Sequence, residues 1–121
     1  MSAATEPGAV LERYLELHAA ADLEAVLALF AEDAVVEDPV GSPVHAGREA
    51  IRQFYARTHR TNGRLRLERV GPVLVCGREV AAHVRAAVPR QESAAEVDVI
   101  YTLNIDGAGR IATLRAFFDL G

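Results

Sequence analysis

Residues 97–118 read VDVIYTLNIDGAGRIATLRAFF, and this stretch decides the fold class. Apolar side chains recur at every second position on both sides of Asp106-Gly107-Ala108-Gly109, and a period of two is typical of β-strands. Asp-Gly tolerates the positive φ angles that tight turns between antiparallel strands require. The pattern therefore predicts a hairpin whose strands each have one apolar face. That face carries Val97, Val99, Tyr101, Leu103 and Ile105 on the first strand, and Ala112, Leu114, Ala116 and Phe118 on the second.

The amino-terminal half of the chain shows helical periodicity instead. Apolar residues recur at helical spacing over residues 8–20, which predicts a first helix. Asp22 is a good N-cap for a second helix, because its carboxylate can accept a hydrogen bond from the first turn. A third helix is predicted over residues 47–57.

Further strands precede the hairpin. A short strand is predicted over residues 34–38, and Leu65 and Leu67 alternate with charged residues after the third helix. Alternation over residues 80–88 predicts a longer strand. Helices followed by antiparallel strands indicate one α+β domain over residues 1–121. Its expected architecture is three helices packed on a strongly curved, mostly antiparallel sheet that encloses an apolar cavity, where small ligands usually bind.

The composition is that of a soluble globular protein. Half of the 121 residues are hydrophobic, a quarter are charged, and the formal net charge is −4, which argues against a nucleic-acid partner. No signal peptide is expected, because residues 1–7 have neither a charged segment nor an apolar one, and no membrane span is expected, because no stretch approaches roughly 18 consecutive apolar residues. The single cysteine, Cys76, is expected at a buried strand end, and it allows no disulfide within the chain, which fits the cytoplasm.

The stretch VVEDPVGS, residues 35–42, contains the first candidate for chemistry. On a strand, Ala34, Val36 and Asp38 share one face and Glu37 lies on the other, so the two acids cannot act as a close pair. If Val36 points inward, Asp38 does too, and apolar surroundings would raise its pKa and make it a better base near neutral pH. The alternative is an aspartate that only starts the turn into Pro39.

The three tyrosines are the second candidates. Tyr14, Tyr55 and Tyr101 each lie on the apolar face of a predicted element. They either pack in the core or place several hydroxyls in one cavity. A phenol is neutral at pH 7 and donates one hydrogen bond, so it can stabilise an oxyanion without adding a charge.

The histidines predict no metal site, because no two of them have metal-ligand spacing on one element. We expect a structural role for His18, at the border of the core. The four are His18, His45, His59 and His83.

Several segments resemble the ketosteroid isomerases of the nuclear-transport-factor-2-like, or SnoaL-like, superfamily in order and spacing, from about residue 8 to residue 119. These segments are Arg13-Tyr14, Asp22-Leu23-Glu24, residues 29–34 (LFAEDA), residues 36–42 (VEDPVGS), residues 50–55 (AIRQFY) and residues 106–110 (DGAGR). The resemblance implies a cone-shaped fold and a homodimer. It also implies a steroid Δ5-3-isomerase, which needs no cofactor and acts on a small hydrophobic ketone.

The resemblance assigns roles residue by residue. Asp38 matches the general base that moves a proton from C4 to C6 of a 3-oxo-Δ5-steroid. Tyr14 matches the phenol that donates to the dienolate oxygen, and Tyr55 matches a tyrosine that supports it. The family's tuned carboxyl groups are a standard example of pKa control.

One position departs from the family pattern. Tyr101 stands where these enzymes commonly have a protonated aspartic acid as second oxyanion donor. Asp98 is an odd number of residues away and faces the other side of the sheet, so it cannot substitute. Either Tyr101 replaces the acid as donor, or it marks a different reaction on the same scaffold.

The sequence leaves two alternatives to a steroid isomerase. One is another enzyme of this fold, such as an epoxide-opening cyclase or hydrolase or a polyketide-tailoring enzyme. The other is a non-catalytic ligand-binding module. For the isomerase we expect an apolar wall formed by Phe30, Val36, Phe54, Val84, Val99, Leu114, Ala116 and Phe118.

Overall fold

The computed structural model describes residues 6–89 and 96–119. Three helices and seven strands alternate along this part of the chain. They are α1 (Pro7–Ala19), α2 (Leu23–Ala28), β1 (Phe30–Glu37), β2 (His45–Ala46), α3 (Arg48–Asn62), β3 (Arg66–Arg69), β4 (Leu74–Cys76), β5 (Glu79–Ala87), β6 (Val97–Ile105) and β7 (Ile111–Phe117).

The strands form one curled sheet in the order β2-β1-β7-β6-β5-β3, and β4 pairs with another part of β5. Every pairing is antiparallel except that of β1 with β7, which is parallel. The β1–β7 register shifts between Phe30 and Val35, and the β6–β7 register shifts between Asn104 and Ile105. Such irregularities bend strands and increase their twist, which curves the sheet around the helices.

The local chemistry at the element ends follows the sequence. Pro7 occupies the first turn of α1, where its missing N–H costs nothing. The Asp22 carboxylate caps α2 by accepting a hydrogen bond from the amide of Ala25 at 3.3 Å. In the turn between β6 and β7, the carboxylate of Asp106 accepts from the amides of Ala108 and Arg110, each at 2.9 Å.

The predicted α+β fold is confirmed, with differences in detail. Strand β1 begins at Phe30, four residues before the predicted start at residue 34. The sequence pattern missed this part because Glu32 and Asp33 interrupt the apolar residues, and both are exposed in the irregular part of the pairing with β7. Helix α3 continues to Asn62, and the short strand β2 was not predicted, whereas β4 ends at Cys76, where a strand end was expected. The burial expected for Cys76 is wrong, because β4 is an exposed strand and its cysteine is exposed.

The core lies between the helices and the inner face of the sheet. Its largest fully buried side chains include Tyr14, Tyr55 and Phe30, together with Leu11 and Ile51 from the helices. On β6 the inward residues are Val99, Tyr101, Leu103 and Ile105, as the alternation predicts. These elements leave one part of the interior open as a cavity, which positions the site described next.

Candidate active site

The carboxyl group of Asp38 lies on the wall of the cavity, one residue beyond the end of β1. The following loop is anchored by the amide of Val40, which donates to the carbonyl of Ala116 at 2.8 Å. Ser42 also donates its hydroxyl to the carbonyl of Pro39 at 2.6 Å. Burial raises the pKa of Asp38 to about 7, because the ionised form loses hydration in this apolar environment. Near neutral pH the group can therefore both accept and return a proton.

The neighbouring carboxylate, Glu37, lies on the other face of the sheet. One of its oxygens accepts from the amide of Gly41 at 3.0 Å, and the other accepts from Nε of Arg115 at 2.8 Å. The Gly41 amide and then the Arg115 guanidinium lower the pKa of Glu37. Glu37 is therefore held as a carboxylate outside the cavity.

The three tyrosines meet in the core. Tyr14 on α1 and Tyr55 on α3 are fully buried, and their hydroxyl oxygens are 2.7 Å apart. The ring of Tyr101 on β6 packs edge-on against that of Tyr14, with ring centroids 5.6 Å apart. Burial raises the pKa of all three phenols, and the Asp38 carboxylate adds to the rise. They are therefore neutral hydrogen-bond donors at pH 7.

Tyr101 is the tyrosine that reaches the cavity. The cavity has a volume of about 440 Å³, and its wall includes both Asp38 and Tyr101. Tyr14 and Tyr55 do not line the cavity, and Tyr14 contacts the wall by packing against the ring of Tyr101. The structure thus brings together all four predicted polar residues, with two at the surface of the cavity and two in support.

The predicted apolar wall is only partly at the cavity. Phe54, Val99 and Phe118 line it. The other five predicted residues are fully buried in the core behind the cavity, where helices cover the inner face of the sheet. They are Phe30, Val36, Val84, Leu114 and Ala116. Phe30, for example, packs against the tyrosines, with ring centroids 6.3 Å from Tyr14 and 5.9 Å from Tyr55.

Several wall residues were missed by the sequence reasoning. The end of α3 contributes Thr58 and Asn62, which lie beyond the predicted helix end, and His18 of α1 also reaches the wall. Apolar side chains from the strand edges complete the wall. They include Leu65, Leu67, Val88 and Val97. The apolar alternation of Leu65 and Leu67 was the available signal for part of this set.

The described residues hold no group of three or more His, Cys, Asp or Glu side chains arranged to bind a metal ion. Within those same ranges, no helix is both long and apolar enough to cross a bilayer.

Comparison with known proteins gives three findings. Residues 11–114 match the SnoaL-like domain family. The chain is 34% identical to a steroid Delta-isomerase from Nocardioides simplex over 120 residues, which are 96% of this chain and 92% of that protein. Its fold is similar to that of SalBIII, an epoxide hydrolase/cyclase-like enzyme with a role in pyran ring formation in the polyether salinomycin. That match has a TM-score of 0.81, 24% identity, and coverage of 93% of this chain and 89% of the other.

Proposed function

The chain belongs to the SnoaL-like domain family, and we propose that it is a steroid Δ5-3-isomerase that moves a double bond from Δ5 to Δ4 in 3-oxo steroids. The observation that carries this proposal is a single carboxyl group, with a pKa of about 7, on the same cavity wall as a neutral phenol. The 34% identity to a steroid Delta-isomerase over most of both chains supports the same reaction.

The proposed reaction needs one base that later serves as an acid. The Asp38 carboxylate removes the C4 proton, the electron pair of that bond forms C3=C4, and the carbonyl π pair moves onto oxygen. The resulting dienolate is protonated at C6 by the Asp38 carboxyl group. The carbonyl re-forms, and the remaining double bond lies between C4 and C5. Every proton and electron pair returns to the steroid, so no cofactor takes part.

Tyr101 is the proposed direct donor to the dienolate oxygen. Each phenol has one proton, the hydroxyls of Tyr14 and Tyr55 hydrogen-bond each other, and the ring of Tyr14 packs against that of Tyr101. A chain of donation from Tyr55 to Tyr14 to Tyr101 leaves only the Tyr101 proton for the ligand. Tyr14, which the family resemblance makes the donor, would then act through Tyr101. In this arrangement a phenol takes the place of the family's second acidic donor.

The cavity supports a ligand of steroid class. Its volume of about 440 Å³ lies in the roughly 300–1,000 Å³ range of small-molecule sites. Its polar wall groups are few, and its apolar side chains come from helix α3 and several strands. The epoxide-opening alternative would need a water-activating Asp–Arg–Asp arrangement, whereas the described cavity wall holds Asp38 as its one carboxylate.

Two further features of the proposal follow the family. We expect a homodimer formed through the outer face of the sheet, where Ile100 of β6 pairs with Phe117 of β7. These side chains are 40% and 37% exposed. We place the enzyme in the reducing cytoplasm, in keeping with its single cysteine.

The test is direct. Adding a 3-oxo-Δ5-steroid to the purified protein should produce the ultraviolet absorption of the conjugated enone. An inert wild-type protein, or an Asp38→Asn variant with an undiminished rate, would rule out this mechanism.

A further inference from the structure

Two pairs of hydrogen-bonded side chains connect α1 to α3. The first is Tyr14 with Tyr55, and the second, one helical turn further along both helices, is His18 with His59. Nδ1 of His18 and Nε2 of His59 are 3.2 Å apart. The His18 ring also stacks on Tyr14, with centroids 5.4 Å apart. The proposed mechanism uses the tyrosine pair and gives the histidine pair no role.

His18 is buried but still reaches the cavity. It exposes only 4% of its surface and forms part of the cavity wall. Burial, and then the neighbouring His59, lowers the pKa of His18 to about 3. Burial also lowers the pKa of His59, although the Asp22 carboxylate opposes the shift. Both imidazoles are therefore neutral at pH 7, and each carries one N–H.

The hydrogen bond between the rings allows two arrangements of these protons. If His18 donates from Nδ1, His59 must carry its proton on Nδ1, which is buried and has no partner among the described residues. If His59 donates from Nε2, its Nδ1 holds only a lone pair, and His18 carries its proton on Nε2. A buried N–H without a partner is rarer, and costs more, than an unsatisfied acceptor. The second arrangement is therefore favoured.

We propose that Nε2–H of His18, oriented by His59, forms a second polar subsite in the cavity, which binds a second oxygen of the ligand. The ligand class is a polycyclic ketone with a further carbonyl or hydroxyl group that accepts this hydrogen bond. The neutral donor suits an uncharged oxygen, whereas a carboxylate or phosphate would call for a cation. The hydroxyl of Thr58, nearby on the wall, donates to the carbonyl of Phe54 at 3.0 Å, so His18 supplies a donor that Thr58 does not. The subsite rests on the proposed function only for the polycyclic-ketone class of ligand.

The experiment compares ligands that differ by one oxygen. The probes are androst-4-en-3-one and its 11-keto and 17-keto derivatives, and dissociation constants are measured by calorimetry for the wild type and His18→Leu. We expect at least one diketone to bind about five- to tenfold more weakly to the variant, the effect of losing one hydrogen bond, with the monoketone changed less than about twofold. Equal changes for all three ketones, or no change for any, would overturn the subsite.

Two controls separate a binding role from a structural one. His18→Gln keeps an N–H donor at this place and should restore much of the preference for the diketone. In the wild-type protein, nitrogen-15 NMR should find the His18 proton on Nε2 and a shift of that signal when the preferred diketone binds. A proton on Nδ1, or a signal indifferent to the diketone, contradicts the proposal even if the leucine variant fails to fold.

These outcomes are distinct from those of the isomerase assay. If the diketone preference depends on His18 but no Δ5-steroid is converted, the subsite stands and the proposed reaction falls. If conversion occurs without any diketone preference, the reaction stands and the subsite falls. If none of the three ketones binds, the subsite falls together with the proposed ligand class.

Discussion

Glu37 and Asp38 are consecutive residues whose carboxyl groups lie on opposite faces of the sheet and have pKa values shifted in opposite directions. The Gly41 amide and Arg115 lower the pKa of Glu37, whereas burial raises that of Asp38 to about 7. The separation follows from strand alternation, which reverses the side-chain direction at each residue. One strand end thus supplies both a carboxylate that stays ionised at neutral pH and a carboxyl group able to exchange protons there.

The two carboxylates make a matched pair of variants. Asp38→Asn should lower kcat by at least about 10²–10⁴, the usual contribution of a positioned base. Glu37→Gln should change kcat by less than about threefold, because its ion pair with Arg115 lies outside the cavity and surface pairs contribute little. Steady-state rates of enone formation check both. Comparable losses in the two variants would contradict the assignment of Asp38 as the base.

The rate should depend on pH through Asp38. The reaction begins with its ionised form, and its pKa in the free protein is about 7. We therefore expect kcat/KM to rise about tenfold per pH unit below that pKa and to level off above it, since kcat/KM reports the free enzyme. Rates between pH 5 and pH 9 with one Δ5-steroid test this. A profile that is flat across pH 7 would show that another group limits the reaction.

The same pKa shift predicts a cost to stability. The pKa of Asp38 is raised from about 3.8 to about 7 on folding, so the native state retains this proton longer than the unfolded chain. Asp38 therefore contributes almost nothing to the free energy of unfolding below pH 4, and it lowers that free energy increasingly as the pH rises to 7. Asp38→Asn should therefore raise the free energy of unfolding by about 2–4 kcal/mol at pH 8 and have little effect at pH 4.

Urea denaturation at the two pH values measures this difference. Glu37→Gln is the control, and its effect should have the opposite sign, because the pKa of Glu37 is lowered in the folded protein. If Asp38→Asn raised the free energy of unfolding equally at pH 4 and pH 8, the effect would come from packing and not from ionisation.

The fold was predictable where local patterns agree with one another. The period-two alternation on both sides of Asp106-Gly107 led directly to β6, β7 and their turn, and Asp22 marked the start of α2. The short strand β2 was missed because pairing with a neighbour creates it, and two residues carry no period. The exposure of Cys76 was missed because the three residues of β4 are too few to show which side chains face solvent.

For the site, the sequence could predict only which face of the sheet each side chain points to. Alternation correctly turned Asp38 and Tyr101 inward and Asp98 outward, where Asp98 contacts His83 at 2.9 Å. It could not give depth along the cavity, because side chains that share one face can lie either at the open wall or under the helices. Val99 and Val84 face each other on β6 and β5, yet only Val99 lines the cavity. The contact between His18 and His59 could not be predicted from the sequence, because the two residues are 41 positions apart.

The three tyrosines should differ in a defined order when each hydroxyl is removed. Tyr101→Phe should lower kcat most, by about 10²–10³, the usual effect of losing one oxyanion donor. Tyr14→Phe should lower kcat less, because Tyr101 can still donate to the ligand but loses the hydroxyl that orders and polarises its own in the proposed chain of donation. Tyr55→Phe should have the smallest effect, because Tyr55 hydrogen-bonds Tyr14 and stands furthest from the ligand in the proposed chain of donation. Single-turnover rates with one Δ5-steroid measure the series, without interference from product release.

The order of the three effects shows whether Tyr101 or Tyr14 donates directly to the ligand. If Tyr14 moved on ligand binding to donate directly, Tyr14→Phe would cost more than Tyr101→Phe, and the chain of donation through Tyr101 would be wrong. Tyr101→Asp supplies a further control, since burial would keep that acid protonated and able to donate. It should retain more activity than Tyr101→Phe if hydrogen-bond donation is what this position contributes. Equal activities in the two variants would mean instead that Tyr101 acts through its ring, by shaping the cavity around the ligand.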